Sequence, residues 1–229
     1  MAKLGGMANY WVTALAVAIA VLVSEQTAFA SSTGRIAAGA DVSCSLRANG
    51  TIACWGKSFT QSVSAPPAGA FTQISAGGSN ACGIRNDGTL SCWGFDVGGL
   101  LLPPAGSFTR VSDGNYHACA IRTDGTLACW GSNMNGEASP PSGIFSQISA
   151  GSSSTCGIRG DGTLACWGAN FFGLTTPPSG TFSSVSTGNS FACGVRSNGT
   201  LACWGDPTSL HRHPARSRAS APAIISHVP

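Results

Sequence analysis

The stretch CGIRNDGTLSCWG, residues 82–94, holds two cysteines separated by nine residues, a turn signal midway between them and a tryptophan directly after the second. Near-copies recur as CSLRANGTIACWG from Cys44, CAIRTDGTLACWG from Cys119, CGIRGDGTLACWG from Cys156 and CGVRSNGTLACWG from Cys193. The first cysteines lie 38, 37, 37 and 37 residues apart. A second marker keeps step: PPAGAFTQISAG from Pro66, PPAGSFTRVSDG from Pro103, PPSGIFSQISAG from Pro140 and PPSGTFSSVSTG from Pro177. Self-similarity at such a period marks a repeat architecture, in which each unit covers the apolar face of the next. Five units are expected over residues 33 to about 205.

Each unit reads as all-β. FTQISAG, with Phe71, Ile74 and Ala76 among small polar residues, predicts a strand ending at glycine. CGIR and TLSC flank Asn86-Asp87-Gly88, a hairpin signal. The connection through FDVGGLLLPPAG reads as loop with room for a fourth short strand, and no unit carries a helical apolar period of useful length. With a three-residue loop, Arg85 faces Thr89, Ile84 faces Leu90 and Cys82 faces Cys92. Side chains alternate across a strand, so Cys82, Ile84, Leu90 and Cys92 share one face and Trp93 lies on the other. A two-residue loop would set Cys82 against Trp93 and misalign the sulfurs.

Directly opposed strand residues come close enough for a disulfide. Ten cysteines in five evenly spaced pairs predict the bridges Cys44–Cys54, Cys82–Cys92, Cys119–Cys129, Cys156–Cys166 and Cys193–Cys203. Spacing alone leaves other pairings open, but the repetition makes local pairing the simplest. Each bridge is expected to contribute roughly 2–3 kcal/mol. Zinc is the rival reading; its cysteines usually come as close C-x2-C pairs, so no metal is expected here. A hairpin with a large residue on each face cannot bury both alone. Stacked sheets can, the Cys/Ile/Leu face of one unit covering the tryptophan of its neighbour, which points to a β-propeller in preference to a linear solenoid.

The ends read differently. Lys3 is the only charge before Glu25, residues 11–23 (WVTALAVAIAVLV) form an apolar stretch, and Ala28-Phe29-Ala30 supplies a small-x-small step. This pattern predicts a secretory signal peptide over residues 1–30, cleaved after Ala30, and hence a secreted chain. Permanent anchoring through residues 11–23 is the weaker alternative, because a spanning helix needs about 20 apolar residues. Residues 31–205 form the repeat domain. Residues 206–229 lose all repeat character and are expected to be an irregular, disordered basic tail. The formal net charge of +3 is small, and Arg212, Arg216 and Arg218 of that tail account for it. Nucleic acid is therefore not an expected partner.

ISAGGSNACGIRNDGTLSCWG resembles the regulator-of-chromosome-condensation repeat, which runs from an Ala-Gly step through a D-G-T turn to a W-G pair. The paired cysteines make it similar to the secreted branch that includes the ectodomains of crinkly-type plant receptor kinases. The resemblance implies a propeller, usually of seven blades, that binds other proteins through loops at its faces. Two departures matter. Five units are visible, and the histidine usual two residues before the first cysteine is present only as His117, with Val42, Asn80, Ser154 and Phe191 elsewhere. The guanine-nucleotide exchange of the founding nuclear member is not expected of a chain addressed outward. Residues after Gly205 hold no kinase signature.

The recurring residues have structural readings. Arg47, Arg85, Arg122, Arg159 and Arg196 are expected to bond nearby carbonyls or turns, in preference to forming a cationic ring for an acidic partner. Asp87, Asp124 and Asp161 interchange with Asn49 and Asn198, as a turn allows and a general acid does not. The tryptophans Trp55, Trp93, Trp130, Trp167 and Trp204 are read as packing residues in preference to sugar-stacking ones. His211 and His213 of the tail are not taken as metal ligands. Asn49 and Asn198 begin N-x-T sequons at hairpin tips and are glycosylation candidates in a eukaryotic secretory pathway. The stretches that differ between units are KSFTQSVSA, FDVGGLLL, SNMNGEAS and ANFFGLTT, and binding surfaces are expected there. Phe95, Leu100, Leu101, Phe171 and Phe172 are the candidate contact residues. No catalytic residue and no cofactor are assigned, and the expected role is a protein-interaction module with a protein partner. The alternatives are a truncated crinkly-type ectodomain, or a secreted hydrolase or lectin-like protein using the central channel, for which Asp41, Asp113 and His117 are the only loose candidates.

Overall fold

Strand and turn follow the repeat in every unit. The computed structural model describes residues 36–56 and 65–206. The expected signal peptide, the segment 57–64 and the tail from residue 207 lie outside the described residues. Five three-stranded antiparallel sheets succeed one another along the chain. They are β1 to β3 (Ile36–Ala38, Val42–Leu46, Ile52–Gly56), β4 to β6 (Phe71–Ala76, Asn80–Arg85, Leu90–Gly94) and β7 to β9 (Phe108–Asp113, His117–Arg122, Leu127–Gly131). Then come β10 to β12 (Phe145–Ala150, Ser154–Arg159, Leu164–Gly168) and β13 to β15 (Phe182–Thr187, Phe191–Arg196, Leu201–Gly205). The described connectors form no fourth strand; the fourth unit has a 3-10 turn at Phe171–Gly173 instead.

The hairpin has the three-residue loop. Ile84 pairs with Leu90, Cys82 with Cys92 and Ala81 with Trp93, and the Arg85 amide donates to the Thr89 carbonyl at 2.8 Å. The Asp87 Oδ1 accepts from both the amide (2.9 Å) and the hydroxyl (2.7 Å) of Thr89. Asn49 does the same for Thr51, and Asn198 for Thr200. An amide oxygen serves this bond as well as a carboxylate oxygen, so Asp and Asn interchange. Gly88 supplies the positive φ of 85° that closes the turn. All five expected disulfides are formed, with Cα–Cα separations of 4.0–4.1 Å.

Neighbouring sheets pack sulfur face on tryptophan face. Cys82, Ile84 and Leu90 of the second unit meet Val111, Ala118 and Trp130 of the third. Val42 and Cys44 meet Ile74 and Trp93; Cys119 and Ile121 meet Trp167; Cys156 and Leu164 meet Trp204. Three indoles also donate backwards to the preceding connector: Trp130 Nε1 to the Leu100 carbonyl (2.8 Å), Trp167 to Glu137 (2.9 Å) and Trp204 to Leu174 (2.8 Å). Trp93 Nε1 has no partner among the described residues; the position equivalent to Leu100 is residue 63, outside them.

Four of the five recurring arginines make the same local contacts. Arg85, Arg122, Arg159 and Arg196 each lie 4.9–5.1 Å from the ring centre of Phe71, Phe108, Phe145 or Phe182 in the same unit. Each also donates to a carbonyl of the Pro-Pro loop, at Ala68, Ala105, Ser142 or Ser179.

One backbone contact sets how closely units approach. The amide of Ala40 donates to the Gly77 carbonyl, Gly78 to Gly114, Asn115 to Gly151 and Ser152 to Gly188. A Cβ on Gly39, Gly77, Gly114 or Gly151 would stand 1.8–2.3 Å from the carbonyl oxygen of the next unit's glycine. Gly77→Ala is therefore expected to push two units apart and to lower stability by about 2–4 kcal/mol, read as a fall in the thermal midpoint with the disulfide map unchanged.

Candidate functional site

The strand order places three kinds of segment at one end of every unit: the Ala-Gly-type turn after the first strand, the start of the second strand, and the connector that leaves the third. Hydrogen bonds lock them together. Phe95 donates its amide to the Ser79 carbonyl, Ser132 to Tyr116 and Ala169 to Ser153. The variable stretches thus begin beside the invariant turns, and any surface they build lies at this end.

Two cavities open here, each of about 280 Å³. The first is lined by the turns of all five units, from Gly39 and Gly77 through Asp113, Gly114 and Gly151 to Thr187 and Gly188. The second lies between the first three units. Phe95, Val97 and Tyr116 form its apolar wall, while Asp41, Ser79 and Asn80 form its polar side. Ala40 and Asn115 line both cavities, so the two share a rim.

Behind the first cavity lie the residues that depart from the repeat. Asn80 Nδ2 donates to Asp113 Oδ2 at 2.7 Å, joining the second unit to the third in a buried contact. Burial pushes the Asp113 carboxyl up to about 8, and the Asn80 bond only partly offsets this. His117 Nε2 shares a 2.6 Å hydrogen bond with Thr155 Oγ1, joining the third unit to the fourth. Burial lowers the His117 imidazole to about 4, against the opposing pull of the Glu137 charge. Burial would raise the Glu137 carboxyl, but hydrogen bonds from its own amide, the Asn135 amide and the Ser132 hydroxyl hold it below its usual range. Asp113 Oδ1 and Thr187 Oγ1 are buried without a partner among the described residues; both belong to residues that line the first cavity.

The three loose candidates of an active site each have a separate hydrogen-bond partner. Asp41 Oδ2 accepts from Ser79 Oγ at 2.9 Å, Asp113 serves Asn80, and His117 serves Thr155; no hydrogen bond links the three to one another. Among the described residues no group of three or more His, Cys, Asp or Glu could hold a metal ion. No helix among them is long and apolar enough to cross a membrane.

The candidate contact residues divide. Phe95, Phe171 and Phe172 are exposed, by 53%, 64% and 65%. Leu100 is fully buried, so its reading as a surface contact is corrected: its carbonyl holds Trp130 and its side chain fills the core between the second and third units. Leu101 is half-buried. Asn49 and Asn198 lie exposed at hairpin tips, as sequon asparagines must. Sequence reasoning passed over Tyr116 and Met134, which are 46% and 92% exposed; Met134 sits in a stretch marked as variable, which was the available signal. In the connectors after the second, third and fourth units the second residue caps the loop, Asp96 Oδ1 accepting from the Leu101 amide, Asn133 from Ala138 and Asn170 from Thr175. The capped loops carry Val97, Met134 and Phe171 at equivalent places. Phe172 has φ 56°, the only non-glycine positive φ among the described residues, where the second connector has Gly98.

The family described as the regulator of chromosome condensation (RCC1) repeat matches residues 71–97, 108–137, 145–174 and 182–209. The chain belongs to this family, and its sheets are blades of the RCC1 type. It is similar to the entire ectodomain of the Physcomitrella patens receptor kinase CR4, with 29% identity, a TM-score of 0.65 and coverage of 75% of this chain and 49% of that one. It is also similar to the CRINKLY WD40 ectodomain of the Arabidopsis thaliana receptor kinase ACR4, with 26% identity, a TM-score of 0.64 and coverage of 74% and 67%. Prp20p of Saccharomyces cerevisiae shares the fold at 18% identity, with a TM-score of 0.66 and coverage of 74% and 57%. The chain thus spans about half the length of the moss ectodomain. No curated protein matches the sequence.

Two of the buried ionisable groups, Asp113 and His117, set opposite pH slopes. Asp113 binds its proton more tightly folded than unfolded, so its contribution is present in acid and is lost as pH rises through about 8. The lowered His117 contribution is present above its ordinary value of 6.5 and is lost as pH falls towards 4. Between about pH 6.5 and 8 only the Asp113 slope remains. Over that window the thermal midpoint is expected to fall with rising pH in the native protein and to stay level in Asp113→Asn, which keeps an oxygen for Asn80.

Proposed function

We propose that this chain is a secreted or cell-surface protein-interaction module that carries out no chemistry of its own. Its partner, a protein, docks on the end where the connectors and the Ala-Gly turns meet. The observation that carries this reading is the set of large apolar side chains exposed on the connectors and the neighbouring turn: Phe95, Tyr116, Met134, Phe171 and Phe172. Exposed apolar clusters on soluble proteins mark interaction surfaces, and flexible methionine with rigid aromatics suits a protein partner better than a nucleic acid. The left-handed Phe172 supports the same reading. Holding a bulky residue at φ 56° costs about 1 kcal/mol, and such strain gathers where a side chain must be presented.

The five disulfides support an oxidising compartment outside the cytosol, as do the similarities to two receptor ectodomains. Those similarities also favour a second reading, in which the chain is the outward-facing part of a crinkly-type receptor kinase. Both readings place recognition on the connectors.

Affinity capture from extracellular fluid with the oxidised chain tests the proposal. The double variant Phe171→Ser, Phe172→Ser is expected to lose the captured protein while its thermal midpoint and disulfide map stay native; capture of the same protein by the variant would overturn the docking surface. Phe172→Gly, which relieves the backbone, is expected to raise stability by about 0.5–1 kcal/mol and to weaken capture.

A further inference from the structure

The four contacts between successive units share one design, and the chain displays both halves of a fifth. The indoles of the second to fifth units are 6–9% exposed, whereas Trp55 of the first is 53% exposed. The first cysteines of the first four units are fully buried, whereas Cys193 is only half-buried, Cys203 is exposed and Leu201 is 59% exposed. A tryptophan face and a sulfur face therefore stand open on the first and fifth units, with the residue types that meet at every internal contact.

The backbone shows the same complementarity. At each internal contact the residue after a turn glycine donates its amide to the next unit's glycine carbonyl. The Asn189 amide, equivalent to those donors, and the Gly39 carbonyl, equivalent to those acceptors, have no such bond among the described residues. The Ser75, Ser112 and Ser149 hydroxyls accept from the amides of Asp113, Ala150 and Thr187 in the following unit; Ser186, at the same place in the fifth unit, is exposed. Gly188 adds a separate observation. The glycines of the first four units are required by a carbonyl 1.8–2.3 Å from their would-be Cβ, but at Gly188 nothing among the described residues comes nearer than 3.3 Å. The close carbonyl that demands glycine in the other units is supplied there by a further unit.

We propose that a second copy of this chain supplies that unit, the tryptophan face of its first sheet seating on the sulfur face of the fifth. Leu201, Val195 and the Cys193–Cys203 bridge cover Trp55 of the incoming copy, and the Asn189 amide donates to its Gly39 carbonyl. Such a contact is heterologous: each copy that joins brings another open face.

Sedimentation or mass photometry of the oxidised chain over a wide concentration range tests this. The wild type is expected to grow in mass with concentration. Leu201→Glu and Trp55→Glu each block one face and are expected to remain single chains when alone. Mixed in equal amounts they are expected to give a species of twice the single-chain mass, because each retains the face the other lacks. Gly188→Ala meets no atom of the described residues closer than the Phe191 carbonyl at 3.3 Å, so it is expected to fold, with a near-native thermal midpoint, and to weaken assembly, which guards against a face variant that fails to fold. A wild type that stays at single-chain mass throughout, a face variant that associates alone, or a mixture that gives no paired species would each overturn the proposal.

Discussion

The contact of an indole with the sulfur-bearing face of the preceding hairpin is the interaction on which the rest depends. A three-stranded sheet of this size has two faces and no core of its own. The disulfide fixes the hairpin register and flattens one face into Cys, Ile and Leu. Alternation then commits the tryptophan to the other face. Covering one indole is worth about 2–3 kcal/mol, and the backward hydrogen bond from its Nε1 ties the connector into the same contact. Each unit is therefore completed by its neighbour, and stability accumulates contact by contact.

Close approach of backbones makes that packing possible. The turn glycines let one unit's carbonyl sit where a side chain would otherwise stand, and the amide-to-carbonyl bonds follow from that proximity. Where the repeat is broken, polar pairs replace apolar ones: Asn80 with Asp113 and His117 with Thr155 join consecutive units in buried positions. These pairs carry the perturbed ionisation, and each spans a seam between units. Their chemistry is that of the seam, with the cavity at the turns lying directly in front of it.

The connectors are the part of the repeat that packing leaves free to vary. Their anchor points are constrained: an Asx cap at the second residue, a carbonyl for the next indole, and an amide bonded to the neighbouring turn. Exposed side chains at and between these anchors are Phe95, Met134, Phe171 and Phe172. Membership of the RCC1-repeat family and similarity to two crinkly-type ectodomains fit this division between a fixed scaffold and variable loops.

The repeat alone determined the strands, the three-residue hairpin loop, the five bridges, and the opposed faces of cysteine and tryptophan. All of these follow from local spacing and strand alternation, which need only the sequence. Three-dimensional packing decided the rest. Leu100 and Phe95 stand in one variable stretch, yet one is buried under the next unit and the other is exposed, because the connector folds over the seam between sheets. The partnership of Asn80 with Asp113 across 33 residues, and the openness of Trp55 and Leu201, depend on which unit stands beside which. A sequence repeats its units without stating where their succession leaves a face uncovered; only the assembled sheets do.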